Sequence, residues 1–323
     1  MLPFKVELHA HLHGCIRLDT LLELAAKNNT TYQIQDFIKD PVKNLASCFK
    51  VFDAIHSLVR DRETLLRVTV QVICDFAMDH VIYLELRATP RQVKNGFTKK
   101  QYVETLLEGV QIAKQKHNIH VKLLLSVNRS HSIEQAEENI KLASMFKPVV
   151  VGVDFSGNPF RNHFVDFLPI LHQARREYGL KITIHCGEID NDQEVKAILN
   201  FKPDRLGHVL VLGEELNDLV LASKIPIEVC PSSNCKTLNI RTVAEHPMLE
   251  KWLELNHPLV ICTDDKGIFQ TSLSNEYHKV ATAFNLSSDR MRQLHISAVN
   301  HCFCSLQEKD EIVAIMTTNS SCL

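Results

Sequence analysis

The stretch Lys5–Gly14, KVELHAHLHG, decides how the rest of the chain is read. Taken with a period of two, Val6, Leu8, Ala10 and Leu12 point one way, and Glu7, His9, His11 and His13 point the other. That alternation is a β-strand with one apolar face and one face made mostly of imidazole. Histidines at i and i+2 on one strand face can both reach one zinc, at about 2.0 to 2.1 Å. Gly14 ends the strand in a tight turn, so the pair sits at a strand end. Alone, the pair is equally consistent with histidines capping an ordinary strand.

Composition narrows what such a strand belongs to. The chain has 323 residues, 45% of them hydrophobic, enough for a large core. Its 36 basic and 38 acidic residues give a formal net charge of −2, which excludes a general polyanion-binding surface. No apolar run reaches the roughly 18 residues of a membrane helix, and no basic start leads into an apolar stretch. The ten cysteines fall mostly inside apolar runs, as reduced thiols do. A soluble cytosolic protein is expected, a monomer with no nucleic-acid or membrane partner.

Outward from the first strand, residues 18–80 carry helical periodicity, with helices expected at Leu18–Lys27, Asn44–Val59 and Glu63–Met78 and Asp61 as a cap. Then strands and helices alternate. Strands are expected at Val81–Ala88, His120–Asn128, Val149–Gly157, Lys181–Glu188, Arg205–Val211, Ile225–Asn234 and His257–Gly267, with amphipathic helices between them. With the first, they number eight. Near-continuous Val/Ile/Leu strands alternating with helices argue for a parallel sheet covered on both sides, and eight units argue for closure into a (β/α)8 TIM barrel of the metal-dependent hydrolase type. A doubly wound open sheet is the alternative, weakened because no Gly-rich phosphate turn follows any strand. No linker or low-complexity tract marks a second domain, so residues 1–323 are read as one domain with a helical insertion over about 18–80.

The polar residues of these strands gather at their C-terminal ends, where barrel enzymes carry their active sites. His9, His11 and His13 follow strand one, and the turn Ala88–Thr89–Pro90–Arg91 follows strand two. Asn128, Gly157, His185, Glu188, His208, Asp264 and Asp265 hold the corresponding places further on. A zinc with an open position takes three or four N/O ligands, and His9, His11, His185 and Asp264 supply that set from strands one, five and eight. The imidazoles favour zinc over magnesium, and the fourth strand has no lysine to bridge two metals, though Asp154 remains a candidate bridge. Glu188 suits proton transfer if burial raises its pKa, or else caps the next helix. His208 is either a partner of the attacking water or a core histidine.

ELHAHLHG, HCGE, LGHVL, CPSSN and CTDDKG, in this order, resemble the adenosine/AMP deaminase family over nearly the whole chain. LELRATPR and CTDDKGIF are similar to the subgroup of adenosine deaminase-like proteins that act on N6-methyl-AMP. The resemblance implies zinc on His9, His11, His185 and Asp264, with His11 also touching substrate. It further implies Glu188 as the acid at purine N1, His208 acting on the water that attacks C6, Asp265 at N7 and the Gly157 N–H at N3. The product would be IMP plus the amine. The signature of the nucleic-acid base deaminases, H-x-E with P-C-x-x-C, is absent.

Departures from the family pattern bear on the substrate. Where adenosine deaminases carry an aspartate for the ribose, this chain has His13, which can donate to a 5′-phosphate instead of repelling it. Thr89 and Arg91 offer a hydroxyl and a guanidinium fork to the same group, unless Arg91 is an ordinary loop arginine. His56 matches a substrate-contacting position of the subgroup but also reads as a core histidine, and Asn128 stands where the subgroup often has an aspartate. The leading expectation is a deaminase of N6-methyl-AMP and related nucleotides. An adenosine deaminase and a catalytically dead binding barrel are the competing readings.

Overall fold

The computed structural model describes residues 4–28 and 45–318. Eight parallel strands pair in chain order: β1 Lys5–His11, β2 Val81–Ala88, β3 His120–Asn128, β4 Val150–Ser156, β5 Lys181–Cys186, β6 Arg205–His208, β7 Ile227–Val229 and β8 Leu259–Ile261. The ring closes through the chain just past β8. His11 N donates to Asp264 O at 3.0 Å, and Asp264 N donates to His9 O at 2.8 Å. The expected (β/α)8 barrel is therefore what forms, and the junction that closes it joins two segments expected to bind metal.

Each half of the β1 alternation finds its own environment. Val6 and Leu8 pack outward among Ala298, Val299, Ile312 and Met316, each burial stabilising by roughly 1.5 to 3 kcal/mol. These partners belong to the closing helices α12 (Ser288–Val299) and α13 (Leu306–Thr318). The opposite face carries Glu7 and His9 into the barrel. There Glu7 accepts from His9 N at 2.8 Å, and from Thr263 N and Oγ1 at 3.0 and 2.8 Å, so one carboxyl ties β1 to the segment past β8.

Helices α1 (Leu18–Lys27), α2 (Leu45–Leu58) and α3 (Arg62–Met78) form the insertion. Asp61 caps α3 as expected, accepting from Thr64 N at 2.8 Å. The expected start of α2 at Asn44, and the residues joining it to α1, lie outside the described residues. The helices of the barrel wall are α4 (Lys99–Lys116), α5 (Ile133–Met145), α6 (Phe164–Arg176), α7 (Asp192–Phe201), α8 (Glu214–Ser223), α9 (Pro231–Leu238), α10 (Leu249–Glu254) and α11 (Leu273–Ala283). No helix among the described residues is long and apolar enough to cross a membrane.

The last three strands end three or more residues before their expected bounds, and the backbone shows why. β6 stops because His208 and Val209 take left-handed φ of 67° and 60°, and β8 gives way to Asp264 at φ 60°. The segment CPSSN, expected as the end of β7, instead begins α9 with Pro231 in its first turn, where a missing N–H costs nothing.

Candidate active site

The strand ends surround a cavity of about 650 Å³. Four imidazoles pack together at its floor. The ring centroids of His9 lie 5.1 Å from His11, 4.8 Å from His185 and 4.9 Å from His208. His9 Nε2 and His11 Nε2 are 3.2 Å apart, and Asp264 Oδ1 is 3.4 Å from each. Ligand atoms of a tetrahedral zinc lie roughly 3.3 Å from one another, so these spacings fit a metal's coordination shell. Burial makes His11 a free donor by lowering its pKa to about 3, against the pull of Asp154 and Asp264.

Each metal-facing group is held from behind. His9 Nδ1 lies 2.7 Å from Glu228 Oε2, so the ring proton goes to the carboxylate and Nε2 is left with its lone pair. Ser233 Oγ donates to Asp264 Oδ2 at 2.7 Å. Beneath them Arg87 donates to Asp154 at 2.8 Å and to Glu228 at 2.5 Å, while Arg205 joins Glu228 to Glu85. Burial pushes the Glu228 carboxyl up, but Arg87 and Arg205 outweigh it and hold it well below its ordinary value. Asp154 Oδ2 also accepts from Ser126 and Ser156, at 2.9 and 2.7 Å. Both its oxygens are thus engaged by the protein, and Oδ1 also lies 3.4 Å from His185 Nε2.

Two glycines make room for polar side chains, one acid and one amide. A Cβ on Gly14 would fall 1.7 Å from Asp265 Oδ1, and one on Gly157, whose φ is 102°, would fall 2.5 Å from Asn128 Oδ1. Asp265 Oδ1 is buried with no partner among the described residues, as is His13 Nε2. Burial, with the charge of Asp264, raises the Asp265 carboxyl well above its ordinary value, which favours its protonated form. Unsatisfied polar atoms beside a cavity are what a polar ligand completes.

Glu188 departs from its expected direction. Burial pushes its carboxyl up, but His185, with Nδ1 3.7 Å away, outweighs that and holds it below its ordinary value. The cause lies with His185. Burial lowers it, yet Asp154 and Glu188 lift it to about 10, so in the metal-free chain it carries a proton. A cluster this rich in carboxylates draws a cation.

The structure sorts the residues expected to meet substrate. His11, His13, His56, Ala88, Thr89, Arg91, Asn128, Gly157 and Asp265 line the cavity with Glu188 and His208, whereas Pro90 is buried outside its lining. His13 and His56 meet edge to face, centroids 4.6 Å apart. The guanidinium of Arg91 lines the cavity and is already engaged by the protein. It donates to the backbone carbonyls of His56, at 2.7 Å, and Val59, and so holds the C-terminal end of α2. Asn128 spends its Oδ1 on Ser130 N at 2.8 Å.

Sequence reasoning gave no role to Glu7, Glu228, Asn234 or His246. An acid inside the apolar run IPIEVC was the available signal for Glu228, since a carboxylate is not buried without partners.

A parallel barrel whose histidines from β1 and β5 meet an aspartate past β8 at one end is the arrangement of a hydrolase with a candidate metal site. The sequence model described as Adenosine deaminase matches residues 4–318, and the chain belongs to that family. It is 42% identical to the adenosine deaminase-like protein of Drosophila pseudoobscura pseudoobscura, over 95% of this chain and 93% of that one. It is 40% identical to the human N6-Methyl-AMP deaminase, over 95% and 91% of the two chains. Among solved structures, that of Arabidopsis ADAL complexed with IMP superposes with a TM-score of 0.93 at 36% identity, covering 99% of this chain and 97% of that one.

Proposed function

We propose that this chain is a zinc-dependent deaminase of purine 5′-nucleotides, converting N6-methyl-AMP and other N6-substituted AMPs to IMP and the amine. The observation that carries the proposal is that one cavity is lined by His11, His185 and Asp264, with His9 packed against them, and, in the same lining, by the imidazoles of His13 and His56. The first set suits hydrolysis, and the second suits an anionic end on the substrate. The names of the human relative and of the IMP-bound Arabidopsis structure point to the same substrate and product.

Zinc held by those four residues would supply a positive charge and a water made acidic enough to react near neutral pH. The rest is done by the protein. Asp265, protonated, donates to N7, and the Gly157 N–H to N3, which fixes the purine plane. Glu188 delivers a proton to N1 as the water oxygen bonds to C6. His208 faces that water; one of the water's two protons passes to Glu188, replacing the one given to N1, and the other goes to N6, so the C6–N6 bond breaks with the amine leaving neutral and C6 left as a carbonyl. The proposal takes residues 1–323 as one monomeric cytosolic domain. All nine cysteines among the described residues are free, which supports a reducing compartment; Cys322 lies outside them.

Steady-state rates on N6-methyl-AMP, AMP and adenosine, measured with one preparation and with the released amine identified, test the reading. Preference for N6-methyl-AMP is the expected result. Equal or better use of adenosine would replace it with a nucleoside deaminase, and no turnover of any of the three with a loaded metal would favour a binding barrel.

A further inference from the structure

His208 is joined to a residue outside the cavity through a buried amide. Its Nδ1 lies 3.2 Å from one end of the Asn234 side chain, and the other end lies 3.2 Å from His246 Nε2. All three side chains are buried, Asn234 completely. His246 Nδ1 accepts the backbone N–H groups of Met248 and Leu249, at 3.3 and 3.1 Å, at the start of α10. A ring nitrogen that accepts two N–H groups holds no proton, so the ring proton of His246 is on Nε2.

That proton settles the orientation of the amide. Amide oxygen and nitrogen are told apart by their partners, and an Nε2–H needs an acceptor. The amide is placed with Oδ1 toward His208 and Nδ2 toward His246, and these partners call for the reverse assignment, with the oxygen toward His246 and the NH2 toward His208. His208 Nδ1 then accepts, and the neutral ring keeps its proton on Nε2, the nitrogen 4.0 Å from Asp264 Oδ2. The backbone is left-handed at both His208 and Val209, where the chain leaves β6.

We infer that Asn234 and His246 are positioning residues that hold His208 as the Nε2–H tautomer, so that it presents a donor to the reaction centre. In that form His208 binds the oxygen of the attacking water and does not take its proton in the resting enzyme. The inference rests on the deamination proposed above for its kinetic consequence alone.

Two measurements on the metal-loaded protein test it. In nitrogen NMR of histidine-labelled protein, with the His208 signals assigned by their loss in His208→Gln, the proton is expected on Nε2; a proton on Nδ1 overturns the inference. His246→Leu frees the amide to turn, while His246→Gln restores a donor toward Asn234. The leucine variant is expected to show His208 partly protonated on Nδ1 and to lose about tenfold to a hundredfold in kcat with little change in KM. The glutamine variant is expected to regain most of that loss. If His208 keeps its Nε2 proton in His246→Leu, His246 serves the fold only, and the inference is overturned whatever the rate. Because the NMR result needs no substrate, a protein that turns over no purine would sink the proposed function and still decide this question.

Discussion

Nδ1 of His9 lies 2.7 Å from Oε2 of Glu228, on the side of the ring away from His11. The same oxygen accepts from Arg87, so a buried guanidinium stands behind the histidine that faces the cluster. Removing the charge of Glu228 while keeping its shape should loosen the His9 tautomer. Glu228→Gln is expected to weaken zinc binding by about tenfold to a hundredfold in chelator competition. Thr183→Val is the control, since Thr183 donates at 3.0 Å to the other oxygen, Oε1, and should leave the metal affinity unchanged.

The spacing of His9, His11 and Asp264 predicts one zinc per chain, and metal analysis of the purified protein checks it. Asp154, bonded to Arg87, Ser126 and Ser156, should not recruit a second ion. His9→Ala and Asp264→Ala should each lose both metal and activity. Two metals at full occupancy would contradict this arrangement.

Glu188 lines the cavity beside His185, and its expected part is proton transfer. Glu188→Gln should keep zinc and lower turnover by roughly 10² to 10⁴-fold, the usual worth of a general acid. Loss of zinc in that variant would instead make Glu188 a ligand.

What was legible in the sequence followed from period and position. The alternation in KVELHAHLHG gave β1 and its two faces, and eight apolar runs separated by helices gave the barrel. Asp61 announced the start of α3. The end of β7 was less legible because CPSSN is compatible with either an extended tail or a helix start, and what decides is tertiary. Ser232 donates its N–H to the buried Glu276, at 2.7 Å, and Ser233 reaches Asp264. Arg91 was less legible for a similar reason. A guanidinium at a strand end reads as a ligand's partner, yet the free carbonyls at the end of α2 took it, and their proximity belongs to the fold rather than to local sequence.

Stability of the metal-free protein should fall below about pH 6.5. Burial lowers His56 and His295 to about 3 each, so both stay neutral in the fold while the unfolded chain takes up protons from about 6.5 downward. With folded pKa values depressed, their contribution is present above 6.5 and is lost as pH falls toward 3, at up to about 1.4 kcal/mol per group per pH unit. His185 opposes this over a different window. Raised to about 10, it stabilises most below 6.5 and loses its contribution as pH rises toward 10. Melting temperatures at pH 6.5, 6.0 and 5.5, where the His185 contribution is nearly complete, should therefore descend with pH, and His295→Phe should flatten the descent. A curve with no slope between 6.5 and 5.5 would contradict the burial of these rings as neutral groups.

His13 and Arg91 should part company when nucleotide and nucleoside are compared. His13 lines the cavity with Nε2 buried and unpartnered, so it has a hydrogen bond to give. Arg91 already gives two to the carbonyls of His56 and Val59, and its loss frees the end of α2 and with it the His56 ring beside His13. Arg91→Ala is thus expected to lower kcat/KM for N6-methyl-AMP and for its nucleoside together, through the fold of the cavity wall. His13→Asp should act selectively, because it sets a negative charge where the 5′-phosphate is expected. One charge-assisted hydrogen bond is worth about 1.5 to 3 kcal/mol, so the nucleotide should lose roughly tenfold to a hundredfold more than the nucleoside. His56→Ala should act in the same direction, since its ring packs at 4.6 Å on His13. If His13→Asp lowers both substrates equally, these imidazoles do not read the phosphate. If Arg91→Ala spares the nucleoside, the guanidinium must leave the α2 carbonyls when nucleotide binds and act on the phosphate itself.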